Sequence, residues 1–164
     1  MASDFFIKLD GIDGESADKA HAKWIEVLGF SHGSVQTITI GRSTDVTGRG
    51  QFEPFVFTHL VDKATPKIQQ YAMSGKNISK VNFHVCRAIG GAQTVVYEMT
   101  LENVKIGKAQ VYADVPAAAD EPAALPRECV ELVAAKITWK VTAIKPDNTK
   151  DGAVEASFNQ VENA

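Results

Sequence analysis

Along most of the chain, apolar and polar residues alternate at every second position, the period of a strand with one buried face. Val81, Phe83 and Val85 alternate with Asn82, His84 and Cys86, and Val95, Tyr97, Met99 and Leu101 alternate with Val96, Glu98, Thr100 and Glu102. Gly90 and Gly91 lie between these two runs. Paired glycines take the positive φ angles of a tight turn, so a hairpin is predicted. Val133, Ala135, Ile137, Trp139 and Val141 make the cleanest one-sided strand, yet Val130 and Leu132 just before it are apolar in the opposite phase. That slip is either a β-bulge or an irregularity of the pattern. Shorter strands are predicted at 5–9, 23–31, 36–40 and 55–61. In the second of these both alternating sets are apolar, Trp24, Leu28 and Phe30 on one side and Ile25 and Val27 on the other, so it should be covered on both faces. Val154, Ala156 and Phe158 predict a final edge strand.

One helix interrupts this pattern, in "DKATPKIQQYAMSGK" from Asp62 to Lys76. Thr65 is the predicted N-cap, its hydroxyl accepting from a free N–H of the first turn, and Pro66 suits the first helical position because it has no N–H to leave unpaired. Gly75 can end the helix in the left-handed conformation. Ile68, Ala72 and Tyr71 form one apolar stripe, so the helix, about residues 66–74, packs by one side onto the sheet and plugs or flanks it. Pro116, Pro122 and Pro126 make 113–128 an exposed loop. Seven or eight short strands with a single helix argue for a mainly β domain, a sandwich or barrel, against a parallel α/β sheet.

Length and composition fit one domain over 1–164. Lys and Arg number 17 against 20 Asp and Glu, a net charge of -3, which gives no basic field for nucleic acid. No apolar segment approaches the roughly 20 residues that span a bilayer. The start "MASDFFIKLDG" lacks the basic and long apolar regions of a secretory leader. Cys86 and Cys129 have no CxxC or Cys/His spacing and are read as free thiols. His21, His32, His59 and His84 are scattered without metal-ligand spacing. No nucleophile elbow or phosphate-binding glycine motif occurs. No catalytic residue, metal site or cofactor is therefore assigned.

The opening "FIKLDGIDGES", the strand "WIEVLGFSHG", the helix entry "DKATP" and exit "SGK", and the late strand "ECVELVAAKITWKV" are spread over nearly the whole chain. In this order they resemble the haemolysin-coregulated protein (Hcp) family, the tube subunit of bacterial type VI secretion systems. Departures fall in loops: 41–51 is less glycine-rich than family members often are, and 113–127 is unusually rich in Ala and Pro. The resemblance implies a β-barrel of two antiparallel-rich sheets with one short outer helix, related to phage tail-tube proteins. It implies a homo-hexameric ring whose copies stack into a hollow tube. The implied partners are a VgrG-like spike protein, a contractile sheath and effector proteins, with no nucleic acid and no membrane. The tube would be cytoplasmic when assembled and secreted through the type VI system without a signal peptide.

Ser31 matches a small polar lumen position of the family and is the candidate effector contact. The loop with Arg42, Asp45, Arg49 and Glu53 is the candidate for ring stacking, and the Lys136, Thr138 and Lys140 face would supply a polar, quiet lumen wall. The competing readings are a monomeric ligand-binding β-barrel and an enzyme, against which stand the polar alternation of one sheet face and the lack of a nucleophile with its base.

Overall fold

Gly90 and Gly91 have φ angles of 58° and 80°, and the hairpin they turn joins two of the longest strands in the molecule. In the computed structural model, which describes residues 3–38, 40–41, 48–116 and 118–164, the order is β1 (Ser3–Leu9), β2 (Ile25–Val27), β3 (Gly29–Val35), β4 (Gln51–Leu60), α1 (Thr65–Ser74), β5 (Ile78–Ile89), β6 (Ala92–Tyr112), β7 (Arg127–Ile144) and β8 (Lys150–Asn159). Arg42 and Asp45 lie outside the described residues. Eight strands and one helix match the expectation, but β6 and β7, of 21 and 18 residues, are far from short. The predicted strand at 36–40 is absent among the described residues there, and β3 ends at Val35 instead.

The strands pair antiparallel in the order β2-β1-β5-β6-β7-β4-β3, with β8 added to β7 alone as the predicted edge strand. The two margins, β2 and β3, are separated in the chain by Leu28, whose N–H donates to Thr58 O on β4 at 2.7 Å. The barrel-like fold is therefore a single continuous sheet curled until its margins meet, where two sheets were expected. It also explains why 23–31 is not one strand: Ile25 and Val27 are buried, but Leu28 marks the break and is half exposed. The inside is filled by aromatic and aliphatic side chains, with ring centroids 4.5 Å apart for Phe30–Phe83 and 5.0 Å for Phe55–Phe83.

The phase slip in the sequence is a real change of face, displaced from where the pattern alone put it. β7 buries Val130, Leu132 and Ala134, then Ile137; β6 buries Met99 and Leu101, then Val104 and Ile106. Both strands exchange odd for even at the same level. Asn103 stands there, between the registered pairs Glu102–Lys136 and Val104–Ala134, with a φ of 51°. Asn tolerates the left-handed region better than other side-chain-bearing residues, and one such residue turns the strand over. The register shift itself lies in β6, between Ile106 and Lys108, and not in β7.

Helix α1 closes one end of the core. Ile68 is fully buried and Tyr71 and Ala72 pack against the core, while Met73 on the far side is exposed. Its exit through Gly75, with φ 63° and ψ 25°, is as predicted. Its entry differs. Ala64, not Thr65, precedes the helix, and no side chain caps it. Asp62 Oδ1 instead accepts from the Ala64 N–H at 2.8 Å, and Thr65 Oγ1 accepts from the Asp62 N–H at 3.3 Å. Both side chains shape the turn before the helix, because Asp and Thr bond nearby backbone groups readily.

Asn103→Ile is expected to lower stability by about 1–3 kcal/mol, since a β-branched residue is strained at this φ, whereas Asn103→Gly should stay within about 1 kcal/mol of wild type. Urea unfolding of both variants checks this, and equal losses would contradict the role given to Asn103.

Candidate functional site

Residues opposite one another on paired strands share a face, and on the side of the sheet turned away from the core the register aligns polar rows. Asn82, Thr100, Thr138 and Ser157 lie in one row across β5, β6, β7 and β8; His84, Glu98, Lys140 and Glu155 in the next; Lys80, Glu102, Lys136 and Asn159 in a third. Each charged row holds one Lys–Glu pair across β6 and β7. Lys140 Nζ lies 2.9 Å from Glu98 Oε2, Lys136 Nζ lies 3.7 Å from Glu102 Oε2, and the Glu98 carboxylate pushes the Lys140 ammonium above its ordinary pKa. The expected polar face at Lys136, Thr138 and Lys140 is thus present, quieted by glutamates from β6.

Ser31 is exposed on β3, opposite Val56 and flanked on the same face by Gly29 and Gly33. The space over Gly29 is open, whereas the Glu53 carboxylate lies over Gly33, where a side chain would stand. Glu53 on β4 stands opposite Gly33, beyond a register shift that accommodates Pro54, which has no N–H for the ladder. Ser31 and Glu53 therefore share one strand pair. Arg49 is used differently: its guanidinium donates to Gln160 O at 3.0 Å and Val161 O at 2.7 Å, tying the carboxy-terminal turn to the start of β4.

The fold also assembles two groups of titratable residues that spacing does not reveal. Residues 10–24 fold over the outward side of β1 and β5 and bury His21 there, its ring stacked on Phe6 at 4.3 Å and edge-on to Trp24 at 4.9 Å. Asp18 Oδ1 accepts from His21 Nδ1 at 2.7 Å, and the other nitrogen of His21 lies 3.0 Å from His84 Nδ1, so the tautomers that satisfy both contacts make His84 the donor. His84 Nε2 faces Glu98 Oε1 at 3.5 Å, joining this cluster to the polar rows. Cys86 Sγ lies 3.9 Å from His21, and burial raises its pKa to about 11, which keeps it a thiol. The partners are 63 and 65 positions apart in the chain, so only the pairing of β5 with β1 could have foretold them.

The second group lies inside. His59 and Glu128 are fully buried, with Nε2 2.8 Å from Oε1, and the other carboxylate oxygen accepts from Gln69 Nε2 of α1 at 2.7 Å. His59 Nδ1 makes no hydrogen bond among the described residues and faces Asp62 Oδ2 at 3.8 Å. Burial holds the Asp62 carboxyl above its usual range, with the nearby His59 opposing. These contacts bind β4, β7 and α1 together.

Set beside known proteins, residues 6–141 match the family model described as "Type VI secretion system effector, Hcp". Protein Hcp1 of Pseudomonas aeruginosa is 30% identical over 107 residues, which cover 65% of this chain and 66%, just under two thirds, of that relative. The crystal structure of Hcp1 from Salmonella typhimurium is 25% identical with a TM-score of 0.75, over 99% of this chain and 98% of that one. A solved type six secretion system protein, 24% identical, shares the fold with a TM-score of 0.87 over 99% of both chains.

Two outcomes follow from the buried groups. Glu128→Ala should cost about 3 kcal/mol in chemical denaturation, because it strands His59 and Gln69 without their shared acceptor; a loss below about 1 kcal/mol would contradict that role. Burial lowers the pKa of His84 and His32 from 6.5. The unfolded chain protonates these rings first as pH falls, so stability present above about 6.5 is lost as pH drops through the lower folded values. The urea midpoint should fall between about pH 7.5 and about pH 5.5, less so in His84→Gln; a flat wild-type profile would count against it.

Proposed function

The chain belongs to the Hcp family of type VI secretion proteins, and from that membership we propose that six copies close into a ring and that rings stack into a hollow export tube. The observation that carries this reading is the outward face of the sheet. Matching Glu98 with Lys140 and Glu102 with Lys136 in register supports an antiparallel sheet by about 0.2–1 kcal/mol per pair. A wall around a water-filled bore gains from it, because paired charges present little net field to a passing chain. Ser31, exposed on the outward side between open Gly29 and Gly33, over which the Glu53 carboxylate lies, is the effector contact. Thr138 and the lysines that flank it line the bore.

Closure follows from a heterologous contact, in which one patch meets a different patch on the next copy and the rotation brings the last copy back to the first. Stacking is assigned to the segment of Arg42, Asp45 and Arg49 together with Glu53 at the start of β4. In this segment Arg49 acts by fixing the carboxy-terminal turn. The tube works in the cytoplasm with a VgrG-like spike, a contractile sheath and effector cargo, and leaves by the same route. Its role is structural. The packing of Phe30, Phe55 and Phe83 in the interior favours a wall over a monomeric ligand container, and the protonated Cys86 supports a non-catalytic role.

Light scattering on the eluting protein at micromolar concentration tests this. The expected mass is six times 17.7 kDa, about 106 kDa; a single species near 17.7 kDa would defeat the ring.

A further inference from the structure

Residues 14–24, which cover the outward side of β1 and β5, bond to themselves. Gly14 N donates to Lys23 O at 2.7 Å, Ser16 N to Trp24 O at 2.9 Å, Lys23 N to Ser16 O at 3.0 Å and Trp24 N to His21 O at 3.1 Å. None of these four bonds reaches the sheet, so the segment can lift as a unit with all of them kept. Side chains hold it down. His21 stacks on Phe6, Trp24 lies 4.7 Å from the His84 ring, and His21 Nε2 meets His84 Nδ1 at 3.0 Å. Beneath the segment Phe6 is 5% exposed and Cys86 is fully buried.

The contact between the two rings needs one bare nitrogen. Asp18 keeps a proton on His21 Nδ1, so His21 Nε2 is the acceptor and His84 Nδ1–H the donor. A proton on His21 Nε2 would set N–H against N–H across 3.0 Å. A proton on His84 Nε2 would place an imidazolium in the row Glu26, Phe6, His84, Glu98, Lys140 and Glu155. Glu98 attracts that charge from 3.5 Å, but its other oxygen already holds Lys140 at 2.9 Å. Burial first, then His21 and Lys140, lower the His84 pKa against the pull of Glu98. Cys86 beside His21 is a neutral thiol, and Asp4 stands opposite it on β1. The His21 hydrogen bond holds the Asp18 carboxyl below the ordinary carboxylate range, so Asp18 is still ionised where the rings titrate.

We propose that the His21–His84 bond is an acid-released clasp: it holds residues 14–24 against β1 and β5 while both rings share one bare nitrogen, and protonation of the pair lifts the segment and bares Cys86 with the sheet still folded. The clasp stands apart from the ring reading. Lifting returns His84 to water, where it takes a proton more readily than in the closed segment. The clasp is therefore strongest above about 6.5 and weakens as pH falls toward the lower value of the closed state. A ring that is neutral when closed and ordinary when open raises the open population about tenfold from about pH 7.5 to about pH 5.5.

Cys86 reports the opening. In the full chain carrying Cys129→Ser it is the sole thiol, since the sequence has 2 cysteines. Its labelling rate with dithiodipyridine is divided by that of the same chain unfolded in urea at the same pH, which removes the titration of the thiol itself. The ratio should rise about tenfold from about pH 7.5 to about pH 5.5 while the far-ultraviolet circular dichroism stays constant. In His84→Gln the amide can donate to His21 Nε2 or, turned over, accept from it, and takes no proton itself. There the rise should stay below about threefold. A flat ratio with His84 in place, or an equal rise in His84→Gln, would overturn the clasp. Circular dichroism lost in step with labelling would overturn it too, because the opening would then be global. If His84→Gln does not fold, ring nitrogen NMR of the unaltered protein decides: at neutral pH both rings should carry their proton at Nδ1 and gain a second as labelling rises, and a bare Nδ1 on His84 would overturn the clasp.

Discussion

A single sheet curled on itself has one inside, and each strand must turn its apolar residues toward it at every level. Two-residue periodicity satisfies this over a short strand, but not over 21 and 18 residues, because twist and coiling carry a long strand around the core. β6 and β7 meet the requirement by exchanging odd for even positions together, at Asn103 and the segment of β7 opposite it. Phe83, Met99, Leu101 and Ile137 on one side of that level and Val104, Ile106, Leu132 and Phe55 on the other can then share one core. The outward rows depend on the same exchange. Thr138 and the lysines beside it face outward only because Ile137 has come to face inward.

Much of this architecture was legible in the sequence. The Gly90–Gly91 turn, the alternation at 81–85 and 95–101, and the exit of the helix at Gly75 are decided by neighbours within a few residues, and local pattern reads them well. Misreadings arose where a distant partner decides. Leu28 looked like one position of a continuous strand, but the two margins of the sheet meet there, and its N–H serves Thr58. Thr65 looked like a cap, but Asp62 sets the turn first and Ala64 takes the position before the helix. The slip near Val133 was visible, yet its cause sits on the neighbouring strand.

The candidate site divides in the same way. Lys136, Thr138 and Lys140 could be placed on one face by counting in twos, whereas Glu98 and Glu102, which neutralise them, enter only through the register of β6 against β7. The Asp18–His21–His84 chain, with Glu98 3.5 Å beyond it, joins a loop to two strands, and the His59–Glu128–Gln69 group joins two strands to the helix. Neither has a spacing to read. Both place ionisable groups next to apolar packing, where an unpaired charge would cost several kcal/mol; the first pairs both ring nitrogens of His21, whereas in the second His59 Nδ1 is left without a hydrogen bond among the described residues.

In the proposed ring, neighbouring copies turn the polar rows of the sheet toward a common axis. An electron cryomicroscopy reconstruction of the assembled protein measures this most directly. It should show six-fold rings around an open bore, with Ser31 and Thr138 on the inner surface and the helix α1 away from it. Rings with Thr138 on the outer surface, or particles with no bore, would contradict it.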